Sequence, residues 1–165
     1  MPRIYINGRF LTQPTTGVQR YARDLCESLD ELLENDPQQR DHELVILTPR
    51  RHVHDVPQLK WIQIHRVGRL GGHAWEQFEL PWYSADGLLF CPGNTTPLVS
   101  LGLRRKTVVT IHGMSFRTYP ESYTLGFRLL YRVIVPLALK YGKAVLTVSN
   151  AEKQRILRYY QYPTL

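Results

Sequence analysis

Six short apolar runs, separated for the most part by helix-length segments, decide what this chain can become. Arg3–Asn7, Glu43–Thr48, Trp61–Ile64, Gly87–Cys91, Thr107–Ile111 and Ala144–Val148 are rich in apolar and β-branched residues and are bounded by charged, Gly or Pro-containing stretches, so they read as strands. The later runs are nearly continuous in apolar character, the mark of parallel strands covered on both faces. After the first run, Val18, Tyr21, Ala22, Leu25, Leu29, Leu32 and Leu33 recur at spacings of three and four, which predicts a one-sided helix ending near Asn35-Asp36-Pro37. Further helical segments are expected over Gly71–Ala85, within the aromatic and aliphatic stretch from Ser122 to Lys140, and from Ser149-Asn150 onward. The alternation predicts a doubly wound α/β fold with a mainly parallel sheet, and such folds bind ligands at the carboxyl ends of their strands. No internal repeat or linker divides the chain, so residues 1–165 are read as one domain.

Composition narrows the setting. With 43% apolar residues, the chain has enough to build a core, yet no window reaches the roughly 20 consecutive apolar residues of a membrane-spanning helix. The most apolar stretch, Leu129 to Leu139, carries Arg132 inside it. Met1-Pro2-Arg3 leads straight into a strand-like run without the pattern of a secretory signal, so a cytoplasmic location is expected. Cys26 and Cys91 both lie in apolar stretches, outside any C-x-x-C pattern, and are read as reduced core residues. Charge is unevenly distributed. Residues 1–43 hold eight acids and five bases, whereas residues 104–165 hold eleven bases and two acids. A basic half of this kind fits an anionic neighbour, whether nucleic acid, a membrane surface or a phosphate-bearing substrate.

Five places could carry chemistry. The turn Thr15-Thr16-Gly17-Val18-Gln19-Arg20 puts a glycine at a helix start, where backbone amides can approach a phosphate; on spacing alone, Thr16 as an N-cap and Gly17 as a tight turn is the favoured reading. It is neither a dinucleotide fingerprint nor a Walker loop. His112 stands just beyond a buried strand and is either a ligand-facing group or a satisfied structural histidine. Ser149 holds the corresponding place after the last strand, where it also reads as a helix cap. Asn94 and Thr95, in the loop Pro92–Pro97, offer amide and hydroxyl groups or simple turn chemistry. Trp75 and Glu76 could stack on and orient a sugar, Trp75 being otherwise a core anchor. No metal-ligand spacing is present, and no metal or other cofactor is expected.

Four segments in this order carry a resemblance: Thr16-Gly17-Val18-Gln19-Arg20-Tyr21-Ala22-Arg23, His73-Ala74-Trp75-Glu76-Gln77-Phe78-Glu79-Leu80-Pro81, Thr107 to His112, and Val145-Leu146-Thr147-Val148-Ser149. Over essentially its whole length, the chain resembles the N-terminal half of GT-B glycosyltransferases of family four, the retaining group 1 enzymes. The mannosyltransferase-like members that build O-antigen, capsule or exopolysaccharide are most alike. The resemblance implies a Rossmann-like domain on the acceptor side of a two-domain enzyme. In that enzyme a nucleotide sugar gives its sugar, with retained configuration, to a lipid-linked or polysaccharide acceptor.

The resemblance also assigns residues. Gly17 matches the glycine whose backbone faces the donor diphosphate, and His112 the catalytic-centre histidine that faces the donor sugar; Arg20 and Ser149 match recurring positions on the donor side. The loop after the first strand, Trp75 with Glu76, and Asn94 with Thr95 are placed on the acceptor side. Two departures stand out. Many relatives have His-Asp where this chain has His112-Gly113, so the contribution of that acid is expected to be lost. The family's nucleotide-binding second domain, with its Glu-x7-Glu motif, is also absent from the 165 residues, so this domain is expected to be inactive alone. Arg104, Arg105, Lys106, Arg128, Arg132 and Lys140, interleaved with Phe127, Leu129, Leu130, Tyr131 and Ile134, resemble a surface for anionic lipid at the inner membrane. A non-catalytic module that contacts nucleic acid or an anionic membrane through its basic half is the alternative. No nucleic-acid-binding motif supports the nucleic-acid form of it.

Overall fold

The computed structural model describes residues 2–119, 121 and 123–160. Ser122, where the sequence opens its aromatic segment, and Tyr162 to Leu165, where it places the end of the domain, lie outside the described residues. Six strands form one all-parallel sheet: β1 (Arg3–Asn7), β2 (Glu43–Pro49), β3 (Gln63–Val67), β4 (Leu88–Cys91), β5 (Thr107–Ile111) and β6 (Ala144–Thr147). Their spatial order is β3-β2-β1-β4-β5-β6, with all five pairings parallel. Helices α1 (Gly17–Asn35), α2 (Gly72–Phe78), α3 (Leu80–Tyr83), α4 (Leu98–Gly102), α5 (Ser115–Thr118), α6 (Leu125–Tyr141) and α7 (Asn150–Tyr160) connect and flank the strands. The architecture is the Rossmann-like doubly wound α/β fold. Among the described residues no helix is long and apolar enough to cross a membrane.

The period-two geometry of strands explains why the runs are apolar throughout. Ile6, Ile46 and Phe90 pack on one face against Ala22, Cys26 and Leu33 of α1. Their strand neighbours Tyr5, Val45, Leu47 and Leu89 point to the other face, against Trp75, Leu80, Leu101 and Ala138. A third cluster, with Ile111, Met114, Phe116, Tyr131 and Ile156, closes the carboxyl end of β5. Both cysteines are free and buried, and burial pushes each thiol up to about 12.

Two elements differ from the sequence reading. The strand expected at Trp61–Ile64 begins instead at Gln63, because Asp30 of α1 accepts the backbone N–H groups of Lys60, Trp61 and Ile62, each at 2.8 Å. Those donors cannot also serve a sheet ladder. Trp61 is left 43% exposed, with the Arg40 guanidinium 3.7 Å from its ring. The helix expected over Gly71–Ala85 is divided between α2 and α3 at Glu79, where Pro81 sits in the first turn of α3, a position that needs no N–H partner. The Glu79 carboxylate turns back to accept the N–H groups of Arg69 and Leu70 at 2.9–3.0 Å.

Candidate functional site

The chain builds β1, β2 and β3 outward in one direction and then returns to lay β4 against the free side of β1. The connections leaving β1 and β4 therefore diverge, and a crevice opens at the carboxyl ends of these two strands. It is a cleft of about 230 Å³. Asn7, Arg9, His73 and Glu76 supply its polar part; Gln13, Thr16, Val18 and Gln19 line it from the approach to α1 and its first turn. Phe116, Tyr123, Phe127 and Tyr131 add an aromatic wall, and Pro92, Gly93, Asn94 and Gly113 come from the strand ends.

Glu76 is the centre of the polar part, and it has no exposed surface. Asn7 Nδ2 donates to its Oε1 at 2.6 Å, and the Thr95 hydroxyl lies 2.7 and 2.9 Å from Oε1 and Oε2. His73 Nδ1 is 3.0 Å from Oε2, and Arg9 Nε lies 3.5 Å from the same oxygen. Arg9 also donates from Nη2 to Thr95 Oγ1 at 3.1 Å. Burial pushes the Glu76 carboxyl up, but the Arg9 charge and the bonds from His73 and Thr95 outweigh it and hold the group below the ordinary glutamate value. Glu76 is thus an ionised, buried carboxylate. One turn of α2 sends three consecutive side chains to different tasks. Trp75 is fully buried and donates its indole N–H to the Val67 carbonyl at 3.0 Å. Gln77 donates to the Thr96 carbonyl and accepts the Leu98 N–H, tying the Thr95–Pro97 loop to the helix.

The aromatic wall is a ladder along the start of α6. Tyr123 and Phe127 are stacked with centroids 4.9 Å apart, Phe127 and Tyr131 likewise at 3.9 Å, and Phe116 meets Tyr131 edge-on at 5.6 Å. The spacing of four residues puts 127 and 131 on one face of α6, and Tyr123, just before the Thr124 N-cap, stacks on the end of that face. Burial raises the Tyr131 hydroxyl to about 12, so it stays a neutral phenol. Because the three rings stack on one another, both faces of Phe127 are covered and Tyr131 is buried, so the wall shows the cleft an apolar surface of ring edges opposite the polar groups around Glu76, and such a cleft can hold a ring that has an apolar side and hydroxyl groups.

The positions marked by sequence fall into three groups. The Gly17 turn, Glu76 and Asn94 come together at the cleft. A Cβ on Gly17 would meet nothing within 4 Å, so no packing inside the chain demands glycine there. Thr95 is fully buried with its hydroxyl committed to Glu76, and Trp75 has no surface for a sugar to stack on; both support the site from behind, which corrects the expectation that they touch the acceptor. His112 packs beside the cleft and does not line it. Its Nε2 donates to the Pro92 carbonyl at 2.6 Å, its backbone N–H donates to Asn94 Oδ1 at 2.6 Å, and its ring meets Tyr21 edge-on at 4.7 Å. Burial lowers the imidazole's proton affinity, with the Pro92 bond opposing, and Nδ1 is the nitrogen left for a ligand. Arg20 is exposed on α1 outside the cleft lining, and Ser149 caps α7 by accepting the Glu152 N–H at 3.2 Å.

A carboxylate from α7 comes close to Gly113. Glu152 Oε1 accepts the Met114 N–H at 3.1 Å and would lie 3.2 Å from a Cβ placed on Gly113. Asn7 and the aromatic wall carry no sequence assignment to the cleft, whereas Arg9 lies in the loop after β1 and His73 opens the segment His73–Pro81 that carries the resemblance. The four-residue spacing of Tyr123, Phe127 and Tyr131 was the signal available for the wall. No family model matches the chain, and no curated protein matches it.

Proposed function

We propose that the cleft binds a sugar and that the chain is the acceptor-side domain of a retaining family four glycosyltransferase, of the mannosyltransferase-like kind. The intact enzyme would pass a sugar from a nucleotide sugar to a lipid-linked or polysaccharide acceptor. The observation that carries this reading is the pairing, at the switch in strand order, of the Tyr123-Phe127-Tyr131 ladder with polar groups organised by buried Glu76. The apolar side of the cleft takes the C–H face of a sugar ring, and the polar groups take its hydroxyls. The first turn of α1 supports a donor-phosphate role, since among the described residues nothing packs within 4 Å of where a Gly17 Cβ would lie and the helix dipole favours an anion there, beside the Thr16–Gln19 capping box. A departing nucleoside diphosphate needs such stabilisation, and basic groups of a second domain would supply the rest. His112 stands beside this cleft and would position the donor sugar only where it extends past the cleft towards the end of β5.

NMR titration of the chain with a nucleotide sugar and with methyl glycosides tests the reading. Amide shifts at Gly17, Val18 and Gln19 with the nucleotide sugar, together with ring shifts at Phe127 and Tyr131 with the glycosides, are the expected result. Steeply salt-dependent binding to random oligonucleotides, with no response to sugars, would replace it with a nucleic-acid-binding module.

A membrane contact is part of the same proposal. On α6, Leu125, Leu129 and Val133 are 71%, 62% and 47% exposed and lie on one face, next to exposed Arg132. Tyr131 and Ile134, which the sequence places in this surface, are buried on the opposite side of the helix. The apolar stripe with Arg132 beside it fits the surface of an anionic bilayer at the inner membrane.

A further inference from the structure

We propose that His73, with its proton held on Nδ1 by Glu76, is the group in the cleft that accepts a hydrogen bond from a sugar hydroxyl. The inference rests on the carbohydrate reading of the cleft and assigns the contact that the sequence gives to Glu76. Glu76 cannot make that contact itself. It is 0% exposed and both its oxygens already accept bonds from Asn7, Thr95 and His73. His73, three residues earlier on α2, is one-third exposed and lines the cleft.

The tautomer follows from the partner. An ionised carboxylate can only accept, so the 3.0 Å contact between His73 Nδ1 and Glu76 Oε2 requires the proton on Nδ1. In neutral imidazole Nε2 then carries the lone pair, and among the described residues no hydrogen bond or ion pair occupies it. The lone pair selects a donor. A hydroxyl can supply one, whereas an ionised phosphate oxygen cannot. The first turn of α1 offers the reverse, backbone donors suited to an anion. The cleft thus separates a hydroxyl-accepting end at α2 from an anion-favouring end at α1. Glu76 is a positioning residue here. The His73 ring lies 6.4 Å, edge-on, from Tyr131, so a sugar held against the aromatic wall lies beside the imidazole.

Ring nitrogen NMR on the chain labelled with ¹⁵N-histidine tests this, with methyl α-D-mannopyranoside as the probe. His73 is expected in the Nδ1–H form and His112, bonded through Nε2 to a carbonyl, in the opposite one, so each is a reference for the other. Adding the sugar should move His73 Nε2 selectively. His73→Asn keeps a donor for Glu76 and removes Nε2, and it should weaken sugar binding by about tenfold with the amide spectrum otherwise unchanged. A sugar that shifts the ladder rings yet leaves Nε2 unmoved, or binds H73N as tightly, would overturn the proposal and leave the carbohydrate reading standing. No shift anywhere in the cleft would overturn both. The wild-type ring measurement decides the matter even where H73N does not fold.

Discussion

Gly113 and Glu152 show how a single position can be read only with its neighbour in space. The sequence has glycine where its resemblance expects an acid, yet Glu152, 39 positions further along, brings a carboxylate to 3.2 Å from where a Gly113 side chain would begin. Gly113→Asp would put two carboxylates in one small space, and like charges there cost about 1–3 kcal/mol. The urea midpoint of G113D should fall accordingly, and G113D/E152Q should recover much of the loss; equal destabilisation of the single and double variants would count against the coupling. Glu76 was visible in the sequence as a polar residue beside Trp75, but its role was not, because its partners Asn7, Arg9 and Thr95 are 69, 67 and 19 positions away. Its pH behaviour follows in sign. A folded-state value held below the ordinary 4.5 contributes stability that is present above that pH and is lost as pH falls through the folded value. Wild-type stability should therefore decline below about pH 4.5, more steeply than that of Glu76→Gln. At pH 7, E76Q should be less stable by about 3–5 kcal/mol, since Arg9 is left buried without its counter-charge. Matched denaturation curves at pH 7 and pH 3.5 would measure both effects.

Among the elements, the central strands and α1 were legible because each is a strong local pattern whose partners merely confirm it: apolar runs for β1, β2, β4 and β5, and three-and-four spacing for α1. The start of β3 was not, because a side chain from another element decides it. Asp30 belongs to the helical pattern of α1 and gives no sign that it will collect three backbone N–H groups from residues 60–62. Burial pushes its carboxyl up, but those three bonds outweigh burial and hold it below the ordinary aspartate value. Asp30→Ala leaves three donors facing a void, and the expected loss is about 2–4 kcal/mol. Hydrogen exchange should localise the damage, with the amides of Lys60, Trp61 and Ile62 and the edge strand β3 losing protection before β1 and β4 do. Uniform loss across the sheet would mean that Asp30 stabilises the whole fold and not this connection. The division of α2 from α3 has a similar origin, since Glu79 serves backbone groups ten and nine residues upstream. The short helices α4 and α5 are too brief for periodicity to reveal.

For the molecule as a whole, strand order and charge together decide where ligands can approach. The order β3-β2-β1-β4-β5-β6 fixes the cleft between β1 and β4, and periodicity in the sequence cannot supply that order. Charge was legible from composition, with eleven bases against two acids in residues 104–165, but which apolar residues accompany it depended on the rotation of α6. The packed face of that helix buries Tyr131, Ile134, Val135 and Ala138, so the outward stripe is Leu125, Leu129 and Val133. If this stripe rests on lipid, two independent contributions should be separable. Apolar insertion depends on Leu129 and Val133, while attraction to an anionic surface, about 1 kcal/mol for each base close to it, is screened by salt. The chain should therefore cosediment with phosphatidylglycerol vesicles at low salt, and much less with phosphatidylcholine vesicles. Raising the salt should release it, and Leu129→Asp/Val133→Asp should cut the retained fraction at least several-fold without lowering stability, because both residues are exposed in the fold. Equal binding to both lipids would show that charge is not the attraction, and undiminished binding of the double variant would move the contact away from α6.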